Sequence, residues 1–105
     1  MSNLIEVTDD TFEAVVLRSP VPVLVDFFAE HCGPCRLVRP VLVELASELG
    51  DRARVVTVDV MANERLAEKY GISVVPTLVV FRAAFEVHRL VGLKTKDYLR
   101  EALAA

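Results

Sequence analysis

Apolar residues run along this chain in two rhythms, and the alternation between them predicts an α/β fold. From Val21 to Phe28 the segment "VPVLVDFF" is almost continuously β-branched, aliphatic or aromatic, the pattern of a strand covered by helices on both faces. "RVVTVDV" (54–60) and "PTLVVF" (76–81) repeat it, and "NLIEV" (3–7) reads as a short first strand. The second rhythm is helical. "TDDTFEAVVLRS" (8–19) predicts a helix capped by Thr8 or Asp9, with Phe12, Val15 and Val16 turned inward and "SPVP" as its stop. Val38, Leu42, Leu45 and Leu49 recur at helical spacing up to Gly50, with Pro40 expected to kink that helix. "NERLAEKYG" predicts a short helix stopped by Gly71. After this β-α-β-α-β-α-β order come "EVHRLVG", a strand close behind the previous one, and "TKDYLREALA", a helix capped by Thr95. The expectation is a mixed sheet of about five strands flanked on both faces by about four helices. With no internal repeat, low-complexity tract or linker, residues 1–105 are expected to form a single domain.

Composition narrows the function. The 105 residues suffice for one hydrophobic core, 53% of them are apolar, Trp is absent, and the net charge is -3. That balance offers no basic face for nucleic acid and no polybasic membrane anchor. The opening "MSNLIEVTDD" lacks the basic residues and apolar run of a secretory signal, and no stretch approaches the roughly 18 apolar residues of a membrane span. A cytoplasmic location is therefore expected, with neither membrane nor nucleic acid as partner; the chain is also expected to be a monomer.

The chemistry lies in "EHCGPCR" (30–36), which holds the only two cysteines, Cys32 and Cys35. In a reducing compartment a lone close pair points to catalysis or metal binding rather than a structural staple. Three residues apart at a helix start, their Cα atoms lie about 5–6 Å apart, within disulfide range. They follow a buried strand and open a helix, so the first sulfur faces unpaired N–H groups and the positive end of the helix dipole. An ordinary thiol with pKa about 8.5 is only about 3% ionised at pH 7. Moderate lowering therefore gains more thiolate than it loses in nucleophilicity. Gly33 permits close approach of another backbone, and Pro34 is tolerated in a first helical turn. The rival is zinc, for which only His31 and His88 remain as further soft donors, with no second CxxC pair.

"VDFFAEHCGPCRLVRPVL", "KYGISVVPTLVVF" and the late "VG" together resemble the thioredoxin family over essentially the whole chain. The resemblance implies the thioredoxin fold, protein-disulfide reductase activity on disulfide-containing proteins, and a thioredoxin reductase as electron donor. It implies no cofactor beyond the Cys32–Cys35 disulfide itself. Cys32 matches the attacking thiol, Cys35 the resolving thiol, and Asp26 the family's buried carboxylate. A lone Asp in so apolar a strand is costly to ionise, which gives it either a raised pKa and a role as proton acceptor from Cys35, or the part of a core acid without a kinetic role. Pro76 matches a cis-proline facing the disulfide, although only about 5–6% of X-Pro bonds are cis. The Val75 backbone would then pair with an extended substrate, beside His31, Gly33, Pro34 and Gly92. For Gly92 and Pro40, a plain turn and a helix kink are the competing assignments.

Three departures from the family pattern stand out. His31 replaces the usual Trp, so it is either an imidazole that favours the thiolate when protonated or a solvated loop residue. Thr57 stands where many relatives carry a buried lysine near the acid, which leaves Asp26 more dominated by desolvation. Ala83 and Ala84 occupy a hairpin where relatives use Gly. Because alanine resists positive φ, a longer or differently shaped loop is expected, with Phe85 either exposed for a partner or tucked on the sheet edge. The leading function is a dithiol reductant of protein disulfides. The alternatives are a redox-poor binding module on the same scaffold, or an oxidant or isomerase, against which the Gly-Pro pair between the cysteines speaks.

Overall fold

The computed structural model describes residues 4–104. Five strands, β1 (Ile5–Glu6), β2 (Val23–Phe28), β3 (Arg54–Asp59), β4 (Thr77–Arg82) and β5 (Phe85–Val91), form one sheet in the order β1-β3-β2-β4-β5. β3 runs parallel to both β1 and β2, whereas β4 is antiparallel to β2 and β5 antiparallel to β4. The mixed sheet is thus as anticipated. Its three central strands are those with the continuous apolar runs.

Alternation along β2 divides the core into two layers. Val23, Val25 and Phe27 pack with Phe12, Val16 and Leu66 on one face. Leu24 packs on the other with Val38, Leu42 and Leu45 of helix α1 (Gly33–Leu49) and with Leu99 and Leu103 of helix α3 (Lys96–Ala104). Each such side chain, fully buried, stabilises the fold by about 1.5–3 kcal/mol. The C-terminal part of α1 is joined to the first half of α3 by ion pairs from Lys96 to Glu44 and Glu48 and from Arg100 to Glu48. Thr95 caps α3 through the Tyr98 N–H, 3.1 Å away. Helix α1 runs unbroken through Pro40 to Gly50, which caps it at φ 54°.

The first helix differs from expectation. In place of a regular capped helix over 8–19, a turn in which Thr8 C=O accepts from the Thr11 and Phe12 N–H groups leads into one π-helical turn, Glu13–Leu17. Phe12 and Val16 are buried as expected and Val15 only half so. Neither Thr8 nor Asp9 caps that turn. Thr8 donates its N–H to Thr11 Oγ1, and the Asp9 carboxylate accepts the Leu66 N–H at 3.1 Å, in the first turn of helix α2 (Glu64–Lys69). The Asp9 N–H in turn donates to Asn63 Oδ1 at 2.9 Å. Strand β2 starts at Val23 rather than Val21. Pro22 contributes no N–H, but its C=O accepts from Arg54 N–H at 2.9 Å. Of the strand expected over 3–7, Ile5 and Glu6 are in strand and residue 3 lies outside the described residues.

The hairpin also corrects an expectation. Arg82 pairs directly with Phe85, so the turn has two residues, and Ala83 and Ala84 adopt φ of 52° and 74°. Positive φ at both central positions matches the twist of the flanking strands. It costs a non-glycine residue roughly 1–2 kcal/mol. Replacing Ala84 with Gly should therefore raise stability by about 0.5–1 kcal/mol, after discounting glycine's greater unfolded-state freedom. A higher denaturant midpoint at unchanged slope is the expected reading, and no change would show that the turn stores no strain. Phe85, beside it, is 73% exposed rather than tucked against the edge.

Candidate active site

Strand register brings the sequence-distant candidates to one end of the sheet. Phe28 is level with Asp59, Phe27 with Thr77 and Thr77 with Val91. The segments after β2, after β3, before β4 and after β5 consequently share one edge. They carry Cys32 and Cys35, the loop from Asp59 to Asn63, the Val75–Pro76 pair, and Gly92.

Cys32 is the N-cap of α1, in extended conformation, and its Sγ accepts the Cys35 N–H at 3.1 Å. This is one of the donors that a helix start leaves unpaired, and it points a backbone dipole at the sulfur. The two residues form a disulfide with Cα atoms 5.2 Å apart. The sulfurs are not equivalent, because Cys35 is 3% exposed while Cys32 is half-buried. Gly33 and Pro34, the first two residues of the helix, are exposed beside them. Such a pair accepts or releases two electrons by closing or opening one bond.

Asp26 lies on the sheet face that α1 covers, flanked in register by Thr57 and Leu78, and is fully buried. Neither carboxylate oxygen has a hydrogen-bond partner in the protein. Burial pushes this carboxyl up to about 7, with the Arg39 guanidinium pulling the other way. Thr57, also buried, provides no charge.

The Val75–Pro76 peptide is cis. Thr77 Oγ1–H donates to Val74 C=O at 2.7 Å, and Gly92 N–H donates to Pro76 C=O at 3.0 Å. Between them, the Val75 backbone has no hydrogen bond among the described residues. Gly92 has φ 88°, a conformation a side chain would strain. His31 is exposed and borders an open cleft lined by Ala29, Glu30, Asp59, Met61 and Ala62.

Two features escaped the sequence reading. Arg39 lies four residues beyond Cys35, with its guanidinium 4.8 Å above the Phe28 ring; a basic residue next to buried Val38, one helical turn from a cysteine, was the available signal. Met61, 73% exposed, comes to the site only through the β2–β3 register. Among the described residues no group of three or more His, Cys, Asp or Glu side chains is placed to hold a metal ion, and no helix is long and apolar enough to cross a membrane.

The Thioredoxin family profile matches residues 3–105. The chain belongs to the thioredoxin family. It is 45% identical to Thioredoxin 1 of Nostoc sp. over 98% of its length and 96% of that protein's. It is likewise 45% identical to the thioredoxin of Mycolicibacterium smegmatis, over 98% of this chain and 94% of that one. The bifunctional thioredoxin reductase/thioredoxin of Mycobacterium leprae is 45% identical over 95% of this chain, which spans 22% of that longer protein. With its cysteine pair at bonding distance, this family member is a protein disulfide oxidoreductase, and Cys32–Cys35 is its redox centre.

Proposed function

We propose that residues 1–105 act as one domain, a cytoplasmic monomer that reduces disulfides in other proteins. The observation that carries this is the asymmetric pair itself, a half-exposed Cys32 joined to a buried Cys35, with Asp26 buried and without a hydrogen-bond partner on the sheet face that the same helix covers. In the dithiol form the Cys32 thiolate attacks one sulfur of a substrate disulfide; the new S–S bond joins Cys32 to the substrate, and the other substrate sulfur leaves as a thiolate and takes a proton from solvent. Cys35 then gives its proton to the Asp26 carboxylate and attacks the Cys32 sulfur. The internal disulfide forms, the second substrate sulfur leaves, and two electrons have passed to the substrate. No cofactor beyond the dithiol takes part.

The free backbone groups of Val75, next to cis Pro76, suit pairing with an extended substrate segment. Gly33, Pro34, Gly92 and His31 supply the low surface around it. A thioredoxin reductase is the electron donor, a reading supported by the relative from M. leprae whose name joins the two activities.

The test is the reduction potential of the pair together with turnover of insulin disulfides driven by a thioredoxin reductase. A reducing potential and measurable turnover are expected. No turnover despite an intact, reversible disulfide would favour a binding module on the same scaffold. Position 31 gives a second prediction. His31 is exposed and without a hydrogen-bond partner among the described residues, so His31→Trp should move stability by no more than about 0.5 kcal/mol. Turnover rates, in contrast, should change severalfold. A large loss of folding free energy instead would reveal a packing role.

A further inference from the structure

Among the described residues, the buried side-chain nitrogen and oxygen atoms with no hydrogen-bond partner are three: both carboxylate oxygens of Asp26 and the Nε of Arg39. Within the protein these atoms lack partners, and a relation between the two residues would account for both. Their placement supplies it. Asp26 and Phe28 are two residues apart on β2, hence on the same face of the sheet and about 7 Å apart along the strand. The Arg39 guanidinium stands over the Phe28 ring, and Arg39, Phe28 and Cys35 line one cleft. The Arg39 side chain makes no ion pair or hydrogen bond among the described residues, so no other carboxylate claims its charge.

From these positions we propose that Arg39 is a positioning residue for the site, the counter-charge that holds Asp26 in reach of ionisation. This deepens the proton-acceptor role given to Asp26 above and rests on it only for its kinetic consequence. Other charged groups are placed less well. On the same face of the sheet, Thr57 and Leu78 flank Asp26 without charge. Asp59, the next residue on that face of β3, has its carboxylate on the Met61 N–H, and His88 of β5 lies in a separate pocket against Tyr98 and Glu101 of α3. Helix α1 contributes Cys35 and Arg39, and also Arg36, which lines the same cleft as Glu30 and donates to the Glu30 C=O at 3.2 Å. Arg82, farther along this face of β4, donates to Leu103 C=O at 2.8 Å, and α3 covers the face with Leu99 and Leu103. With Thr57 in place, β3 offers no positive charge on this face, and the helix provides it instead.

Desolvation alone favours the protonated acid, which cannot accept the Cys35 proton. The Arg39 guanidinium favours the carboxylate, and deleting that charge is expected to move the carboxyl upward by roughly one unit. From a midpoint of about 7, that lowers the ionised fraction at pH 7 from about one half to about one tenth, so turnover should fall about fivefold there and recover by about pH 9. Arg39→Met keeps an apolar chain over Phe28 and deletes the charge, Arg39→Lys keeps the charge, and Arg39→Gln is a second neutral variant should Met disturb the packing.

The experiment follows the Asp26 carboxyl by carbon-13 NMR across pH in the whole protein, alongside insulin-disulfide turnover over the same range. An upward midpoint in Arg39→Met and Arg39→Gln that Arg39→Lys largely reverses is the expected result. An unchanged midpoint in both neutral variants, or an equal rise in the lysine variant, overturns the proposal. A midpoint that rises while the turnover profile stays fixed upholds the coupling of Arg39 to Asp26 and overturns Asp26 as the proton acceptor.

Discussion

Replacing Cys35 with Ser is expected to abolish multiple turnover and to leave the protein covalently joined to its substrate through Cys32. The partly exposed sulfur is the one a substrate disulfide can reach, and Cys35, 3% exposed, can meet only its neighbour. The second step is expected to be fast in the native chain, because the neighbouring sulfur is already in place. The Cα atoms stand 5.2 Å apart on a helix start held against the core, and an intramolecular nucleophile so positioned acts as if present at a concentration no free thiol attains. Serine at 35 fills the same space without a competent nucleophile, so the mixed disulfide persists. Mass spectrometry should find a stoichiometric adduct mapped to Cys32, and Cys32→Ser should give no adduct and only background reduction. An adduct on Cys35 in that second variant would reverse the assigned roles.

The second large effect concerns Asp26 and stability. Its carboxyl, ordinarily at 3.8, is pushed up to about 7 by burial. Between those values the native protein holds a proton that the unfolded chain has lost, so stability falls as pH rises through the window. Below about pH 4 there is no penalty, and above about pH 7 it is complete, at about 4 kcal/mol. Asp26→Leu removes the titrating group. Whatever its packing contributes is independent of pH, so the difference between variant and native stability should grow by about 4 kcal/mol from pH 4 to pH 9 in the oxidised protein. Reductase turnover at neutral pH should fall in the same variant. Denaturant unfolding at the two extremes is sufficient, and parallel curves would show that Asp26 ionises in the fold as readily as in water.

What could be seen in the sequence was what local pattern encodes. β2, β3 and β4 are covered on both faces, and their apolar runs announced them. The cysteine pair was legible from its spacing and its place between a buried strand and a helix. Information carried by distant partners was not. Phe12 and Val16 have helical spacing, yet an irregular segment ending in one π-helical turn places both in the core, and the Asp9 acceptor that would cap a local helix serves Leu66 instead. Alanine's preference at 83 and 84 yields to the β4–β5 register, which requires a two-residue turn. Arg39 reads locally as one more charge on a helix, and only the folding of α1 onto β2 sets it over Phe28, on the sheet face that also holds Asp26.

Helix α2 is short, six residues, too short to persist alone in water. Its first turn borrows an acceptor from Asp9, 57 positions upstream, while Asn63, just before it, holds Asp9 N–H and donates to Asp59 C=O. The segment bordering the redox pair on the β3 side is thereby fastened to the opening stretch of the polypeptide. Order in that rim is inherited from the amino terminus, so lesions near residue 9 would loosen a catalytic border they never touch.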